Sequence, residues 1–221
     1  MIISPNKGNI VSISSYEIKI SDSNHNIPIL NGIHLHSLLD PLKESTELLK
    51  KHLSLLKRNN NLIILGLGFG YHVKKAMELL KEFHGEDYKI VIIEPNYSII
   101  EDCQKYNPID DNRVMIFNKH VAELYTDKLV LDHLYKKPLI IIHPPSYNVY
   151  QKYYKEYLSY SAPKDLKSIY RLVEDNEVRQ YLSNYAMAID GDLNSFLEYV
   201  KGKDKITNQY DFIMMAYEQI N

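Results

Sequence analysis

The chain reads as an α/β protein: a Rossmann-like, methyltransferase-like, mostly parallel sheet with a small N-terminal β appendage and a C-terminal helical extension. Three observations predict this. Apolar runs alternate with amphipathic ones through the middle of the chain. The first of these runs ends in a glycine turn, LIILGLGFGYH, that opens into a helical pattern. Beyond Ala162 no convincing strand pattern remains, only helical periodicity. Strands apolar on both faces, separated by helices, belong to a parallel sheet with both faces covered.

Residues 1–31 make the appendage. From Gly8 to Asn31 polar and apolar residues alternate, with Tyr16, Ile18 and Ile20 on one face, and the polar turn SDSNHN leads into IPIL. That pattern predicts short antiparallel strands. The Rossmann-like domain covers 32–162 and begins with a helix. Asp40 caps it, Pro41 takes its first position and Glu44 lies in its positive first turn. Leu42, Leu48, Leu49, Leu53 and Leu56 form its apolar stripe. From about Asn60 to Ser161 four β and α units follow: LIIL, YKIVIIE, RVMIF and PLIIIH are the strands, each with an amphipathic run behind it. Residues 163–221 read as helices separated at Gly191 and Gly202.

Composition narrows the function classes. The chain has 221 residues, 45% of them hydrophobic and 24% charged, with a formal net charge of −2. This is ordinary globular usage. Lys and Arg are scattered, so no basic stripe marks a nucleic-acid binder. The single cysteine, Cys103, forms no intrachain disulfide, which fits a reducing compartment. No basic leader and no apolar run of membrane-spanning length is present, so a cytoplasmic protein without membrane partners is expected.

Chemistry has three candidate locations. In a strand–turn–helix unit, Gly66, Gly68 and Gly70 allow a tight turn and close backbone approach, and the helix N-terminus offers free N–H groups to an anion. The spacing is Gly-x-Gly-x-Gly, not the Gly-x-Gly-x-x-Gly of a pyrophosphate fingerprint, and close packing alone also accounts for such a turn. Glu94, at the end of YKIVIIEPN, is placed to accept hydrogen bonds from ribose hydroxyls. It lies 94 − 66 = 28 residues past the first glycine, where roughly 20 is usual. Asn96 beside it either joins that ligand or caps the next helix. Third, IIIHPPSYNVY brings His143, Pro144, Pro145, Ser146 and Tyr147 to the carboxyl edge of the sheet, where open α/β sheets bind ligands. A rigid structural loop is the alternative. Tyr147, Tyr150, Tyr154 and Tyr157 recur at helical spacing and read as packing, though such a stripe also suits a sugar or base. In HLHSLLDP, His34 and His36 would share a face on a strand. No third ligand of assured proximity accompanies them, and no metal site is expected.

The strings GIHLHSLLDPLKESTELL, LIILGLGFGYHV, IVIIEPN and IIIHPPSY, in this order, resemble the N-terminal Rossmann-like domain of the motility accessory factor proteins. These are bacterial glycosyltransferases associated with adding nonulosonic acids to flagellin. The resemblance covers about Gly32 to Tyr157. It implies significance for His36, Ser37, Asp40, Gly66, Gly68, Gly70, Tyr71, His72, Glu94 and Pro95. In that family the sugar-transferring domain follows this one, and DFIMMAYEQIN resembles the connector that precedes it. The first reading is therefore a domain that binds a nucleotide or nucleotide sugar over Gly66 to Gly70 in support of glycosylation of flagellin or another surface protein; its catalytic residues are left unassigned. Two other readings stand beside it. Gly-x-Gly-x-Gly, an acid after the second strand and Pro-Pro-x-Tyr after the fourth resemble S-adenosylmethionine-dependent amino methyltransferases. These carry Asp or Asn where this chain has His143. The third reading is a non-enzymatic module that docks a protein partner.

Overall fold

The computed structural model describes residues 2–3, 10–173, 175–186, 192–206 and 208–220. Gly8 and Gly191, where the sequence pattern placed a boundary, lie outside these. The chain divides into two compact units, residues 1–160 and 161–221.

The first unit is built on a five-stranded sheet. In chain order its strands are β1 (Ile2–Ile3), β5 (Asn61–Leu65), β6 (Lys89–Ile93), β7 (Val114–Phe117) and β8 (Leu139–Ile142). They lie side by side as β1-β7-β6-β5-β8, every pair parallel. Leu62 to Leu65 and Ile90 to Ile93 are fully buried, as strands covered on both faces require. Each such side chain contributes about 1.5–3 kcal/mol of burial. PLIIIH departs from that expectation. Ile141 is buried, but Ile140 and Ile142, which share the opposite face of the strand, are 39% and 36% exposed; β8 is also an edge strand with a single neighbour. β1 was not foreseen, since two residues carry no periodicity.

Three antiparallel strands, β2 (Tyr16–Ile20), β3 (Asn26–Leu30) and β4 (Ile33–His34), form the appendage. The polar turn lies where SDSNHN placed it, and β2 pairs with β3 from Tyr16 opposite Leu30 to Ile20 opposite Asn26. The appendage is not a separate module. Ile27, Leu30 and Leu35 belong to the same core as the large sheet. The Ile10 N–H donates to the Pro95 carbonyl at 3.0 Å, so the segment before β2 crosses the carboxyl end of β6.

Helices α1 (Pro41–Lys50), α2 (Leu53–Leu56), α3 (Tyr71–His84) and α4 (Tyr97–Tyr106) flank β5 and β6 in sequence. α1 starts as its sequence dictates: Asp40 accepts from the Leu42 and Lys43 amides at 2.9 and 3.0 Å, and Pro41 needs no N–H partner. Short helices α5 (Val121–Leu124) and α6 (Lys128–Leu134) precede β8; α7 (Pro144–Val149) and α8 (Gln151–Leu158) follow it. The tyrosine stripe is packing. Tyr150, Tyr153, Tyr154 and Tyr157 are buried, and the Tyr154 hydroxyl donates to the Ile93 carbonyl at 3.0 Å.

The second unit is helical: α9 (Leu166–Leu172), α10 (Asn176–Ala186), α11 (Leu193–Lys201) and α12 (Gln209–Ile220). It has its own core around Leu166, Tyr181, Leu182, Phe196 and Val200. Among the described residues no helix is long and apolar enough to cross a membrane.

Candidate functional site

β5 ends at Leu65, and the backbone then passes through Gly66, Gly68 and Gly70 at φ of 98°, 50° and 73°. These left-handed values favour glycine. The space that side chains would need is already taken by the protein. A Cβ on Gly66 would lie 2.3 Å from Ser146 Cβ, one on Gly68 2.4 Å from His36 Nε2, and one on Gly70 2.8 Å from Ile109 Cδ1. The glycines serve close approach, and what approaches is the chain's own loops.

Glu94 takes part in the same closure. It is fully buried, with Oε2 accepting from the Leu67 amide at 2.9 Å and Oε1 from the Asn96 amide at 3.0 Å. Burial pushes its carboxyl up to about 7, against the opposing pull of the amides of Leu67, Asn96 and Gly68. The Glu94 carboxyl thus ties the glycine turn to the start of the Asn96 segment. Asn96 takes the capping role, its side chain accepting from the Ser98 amide at 3.0 Å. Ser37 and Asp40 are also engaged locally. Ser37 Oγ accepts from the Leu39 and Asp40 amides at 3.2 and 3.3 Å, and the Ser37 amide donates to Glu44 Oε2 at 2.8 Å. The Tyr71 hydroxyl donates to the Asn26 carbonyl at 2.9 Å, tying α3 to the appendage.

Three histidines meet beside the turn. β8 runs parallel to β5, so its end delivers His143 next to Gly66, with the His143 amide donating to the Leu65 carbonyl at 3.0 Å. His72 is the second residue of α3. His36 follows Leu35 after β4 ends. All three are at most 2% exposed, and one ring nitrogen from each lies within 4.8 Å of the others. His72 and His143 are stacked, centroids 4.2 Å apart and planes 6° apart; His36 sits 4.8 Å from His143. His34 and His36 do not pair as the alternation suggested: the strand stops at His34, which is exposed, while His36 is buried.

Hydrogen bonds assign the tautomers. His72 Nε2 donates to the Gly66 carbonyl at 2.9 Å, so its Nδ1 carries a lone pair; that atom is buried with no hydrogen-bond partner. His36 Nε2 accepts from the Phe69 amide at 2.9 Å, so its Nδ1 carries the proton and faces Glu44 Oε2 at 3.6 Å. His143 Nδ1 is 2.7 Å from Ser146 Oγ. Burial holds all three rings below the ordinary imidazole range, His72 at about 3. Neutral rings of this kind are poor bases but good lone-pair donors.

A cleft of about 300 Å³ opens beside two of these histidines, lined by Glu44, Leu48, Lys51, His72, His143 and Pro144, among others. Of the residues that the sequence singled out, the structure brings His36, Gly66, Gly68, His72, His143 and Pro144 together. Glu94 and Asn96 do not line the cleft; their side chains are engaged with the amides of Leu67, Asn96 and Ser98. The sequence offered a partial signal for the cluster: His36 and His72 stood in the two most specific strings, and His143 followed the strand expected beside β5.

No protein-family model matches the chain, and no curated protein matches its sequence. Among solved structures, MnmC2 from Aquifex aeolicus matches 55% of this chain and 48% of its own, at 18% identity and a TM-score of 0.36. The match spans about half the length of that protein. The Rossmann-like class rests on the strand order and the parallel pairing.

Proposed function

We propose that this chain is a ligand-binding domain of the motility accessory factor type, which supports glycosylation of flagellin or another surface protein. We propose further that it takes the sugar portion of a nucleotide sugar in the histidine cleft. One observation carries this reading. His36 and His72 come from the two strings that most specifically resemble that family, 72 − 36 = 36 positions apart, and they converge with His143 beside a cleft that His72 and His143 line.

The surroundings suit a polyhydroxylated ligand. Glu44 and Glu47 accept from hydroxyls, His72 Nδ1 adds an unpaired acceptor, and Leu48 and Pro144 give an apolar wall. A volume of about 300 Å³ holds one sugar ring; a nucleotide would extend beyond it. The methyltransferase reading gains no support from the Cβ positions of Gly66 and Gly68, which Ser146 and His36 already fill.

Calorimetry of the full chain against nonulosonic acids, their cytidine nucleotides, uridine nucleotide sugars and S-adenosylmethionine tests this. Heat is expected for sugar-bearing ligands and is lost in Leu48→Trp, which fills the cleft from a half-buried wall position. Binding of S-adenosylmethionine alone, abolished by Gly68→Val, would replace this reading with the methyltransferase one.

A further inference from the structure

We propose that His36, His72 and His143 bind a divalent transition-metal ion, of the zinc, cobalt or nickel kind, at the floor of the cleft. The site shares the histidine cluster and the cleft with the proposed function, and the ion, which would take the His72 Nδ1 lone pair in place of a sugar hydroxyl, needs no sugar to bind.

The first observation is the set itself. Three imidazoles, each almost completely buried, present one nitrogen apiece within 4.8 Å of one another. Imidazole nitrogen suits zinc, nickel, copper and iron, and not calcium or magnesium, which prefer oxygen. The second is the state of the nitrogens. His72 Nδ1 is a buried lone pair with no hydrogen-bond partner, which in a folded protein calls for an explanation. The third is the outer shell. Metal-ligating histidines usually give their far nitrogen to a carbonyl, a carboxylate or water. Here His72 gives Nε2 to the Gly66 carbonyl and His143 turns Nδ1 to Ser146 Oγ, while His36 Nδ1 lies 3.6 Å from Glu44 Oε2 without a hydrogen bond. That leaves His72 Nδ1, His143 Nε2 and His36 Nε2 as the ligating set. His72 and His143 line the cleft, so a ligand oxygen entering there would supply a fourth donor, as in open sites with three protein ligands.

Binding makes a specific structural demand. Zinc–nitrogen bonds of about 2.0–2.1 Å place tetrahedral ligand atoms about 3.4 Å apart, closer than the set now lies. The stacked rings of His72 and His143 must rotate to converge, and the ion must take from the Phe69 amide the lone pair that His36 Nε2 now offers it. The Phe69 amide is thus a reporter: losing a 2.9 Å hydrogen bond shifts its resonance, which adventitious binding at the surface would not do.

The test uses the full chain, stripped with a chelator and titrated with cobalt and zinc alone. Expected are saturation at one ion per chain, visible ligand-field bands of tetrahedral cobalt, and a shift of the Phe69 amide in a nitrogen–proton correlation spectrum. His72→Gln and His143→Gln each abolish the bands, while Ser146→Ala, which removes an outer partner, weakens affinity by roughly 10–100-fold. His34→Ala, at an exposed position, leaves binding unchanged. Wild-type protein that shows no cobalt bands and no heat with zinc would overturn the proposal whatever the variants do. So would binding that survives His72→Gln with its fold intact but is lost in His34→Ala. Metal binding without any sugar heat would leave this site standing and remove the sugar reading; sugar heat in chelator-treated protein with no metal binding would do the reverse.

Discussion

Gly68 and Gly32 separate two costs that a left-handed glycine can hide. Both have positive φ, 50° and 77°, but a Cβ on Gly32 meets nothing within 4 Å, whereas on Gly68 it lies 2.4 Å from His36 Nε2. Alanine at Gly32 is expected to cost about 1 kcal/mol of backbone strain. Alanine at Gly68 adds the displacement of a buried ring, for a total of roughly 3 kcal/mol or more. Urea denaturation of the two variants checks the difference; equal losses would mean that His36 does not pack on the turn. Glu94 offers a second test through pH. Its carboxyl is at about 7 when folded and near 4.5 when exposed, so the folded state holds the proton more tightly. Its contribution is fully present below the unfolded value and is lost as pH rises through the folded one. The stability difference between wild type and Glu94→Gln should therefore move by about 2–3 kcal/mol in favour of Gln between about pH 5 and about pH 8. Unfolding free energies of both proteins across that range measure it, and a constant difference would show that Glu94 stays ionised throughout.

Helix α1 is held at its start by Asp40 and supplies one wall of the cleft through Glu44 and Leu48. Asp40→Ala frees the Leu42 and Lys43 amides and should cost about 1 kcal/mol. Because the wall loosens with the helix end, ligand affinity at the cleft should fall as well. An affinity untouched by this variant would place the ligand elsewhere. The start of α1 was legible from DPLKE alone, since a cap, a first-turn proline and an acid act locally. The edge position of β8 was not. PLIIIH has the composition of a doubly covered strand, and only the sheet order shows that one side lacks a neighbour. β1 was invisible for the opposite reason: two residues pair with Ile116 and Phe117 through backbone groups that composition does not reveal.

Across the whole chain, the alternation of strands and helices told the fold class because burial on two faces leaves a periodic trace in each element. The site left no such trace. His36, His72 and His143 are far apart in sequence and meet only because β5 and β8 are neighbours and the appendage folds back onto α3. The glycines were legible as a demand for close approach, but whether a ligand or the protein fills that approach depends on side chains from distant segments, Ser146, His36 and Ile109. Glu94 was placed correctly at the end of β6; the amides of Leu67 and Asn96 that it holds come from turns whose course the sequence does not show. The central claim is that the ligand enters the histidine cleft and does not lie on the glycine turn. Amide shift mapping of the full chain with a cytidine-linked nonulosonic acid tests it most directly. Perturbations centred on Glu44, Leu48, Lys51, His72 and His143 are predicted; perturbations centred on Leu67, Phe69 and Tyr106, with the cleft residues unmoved, would contradict it.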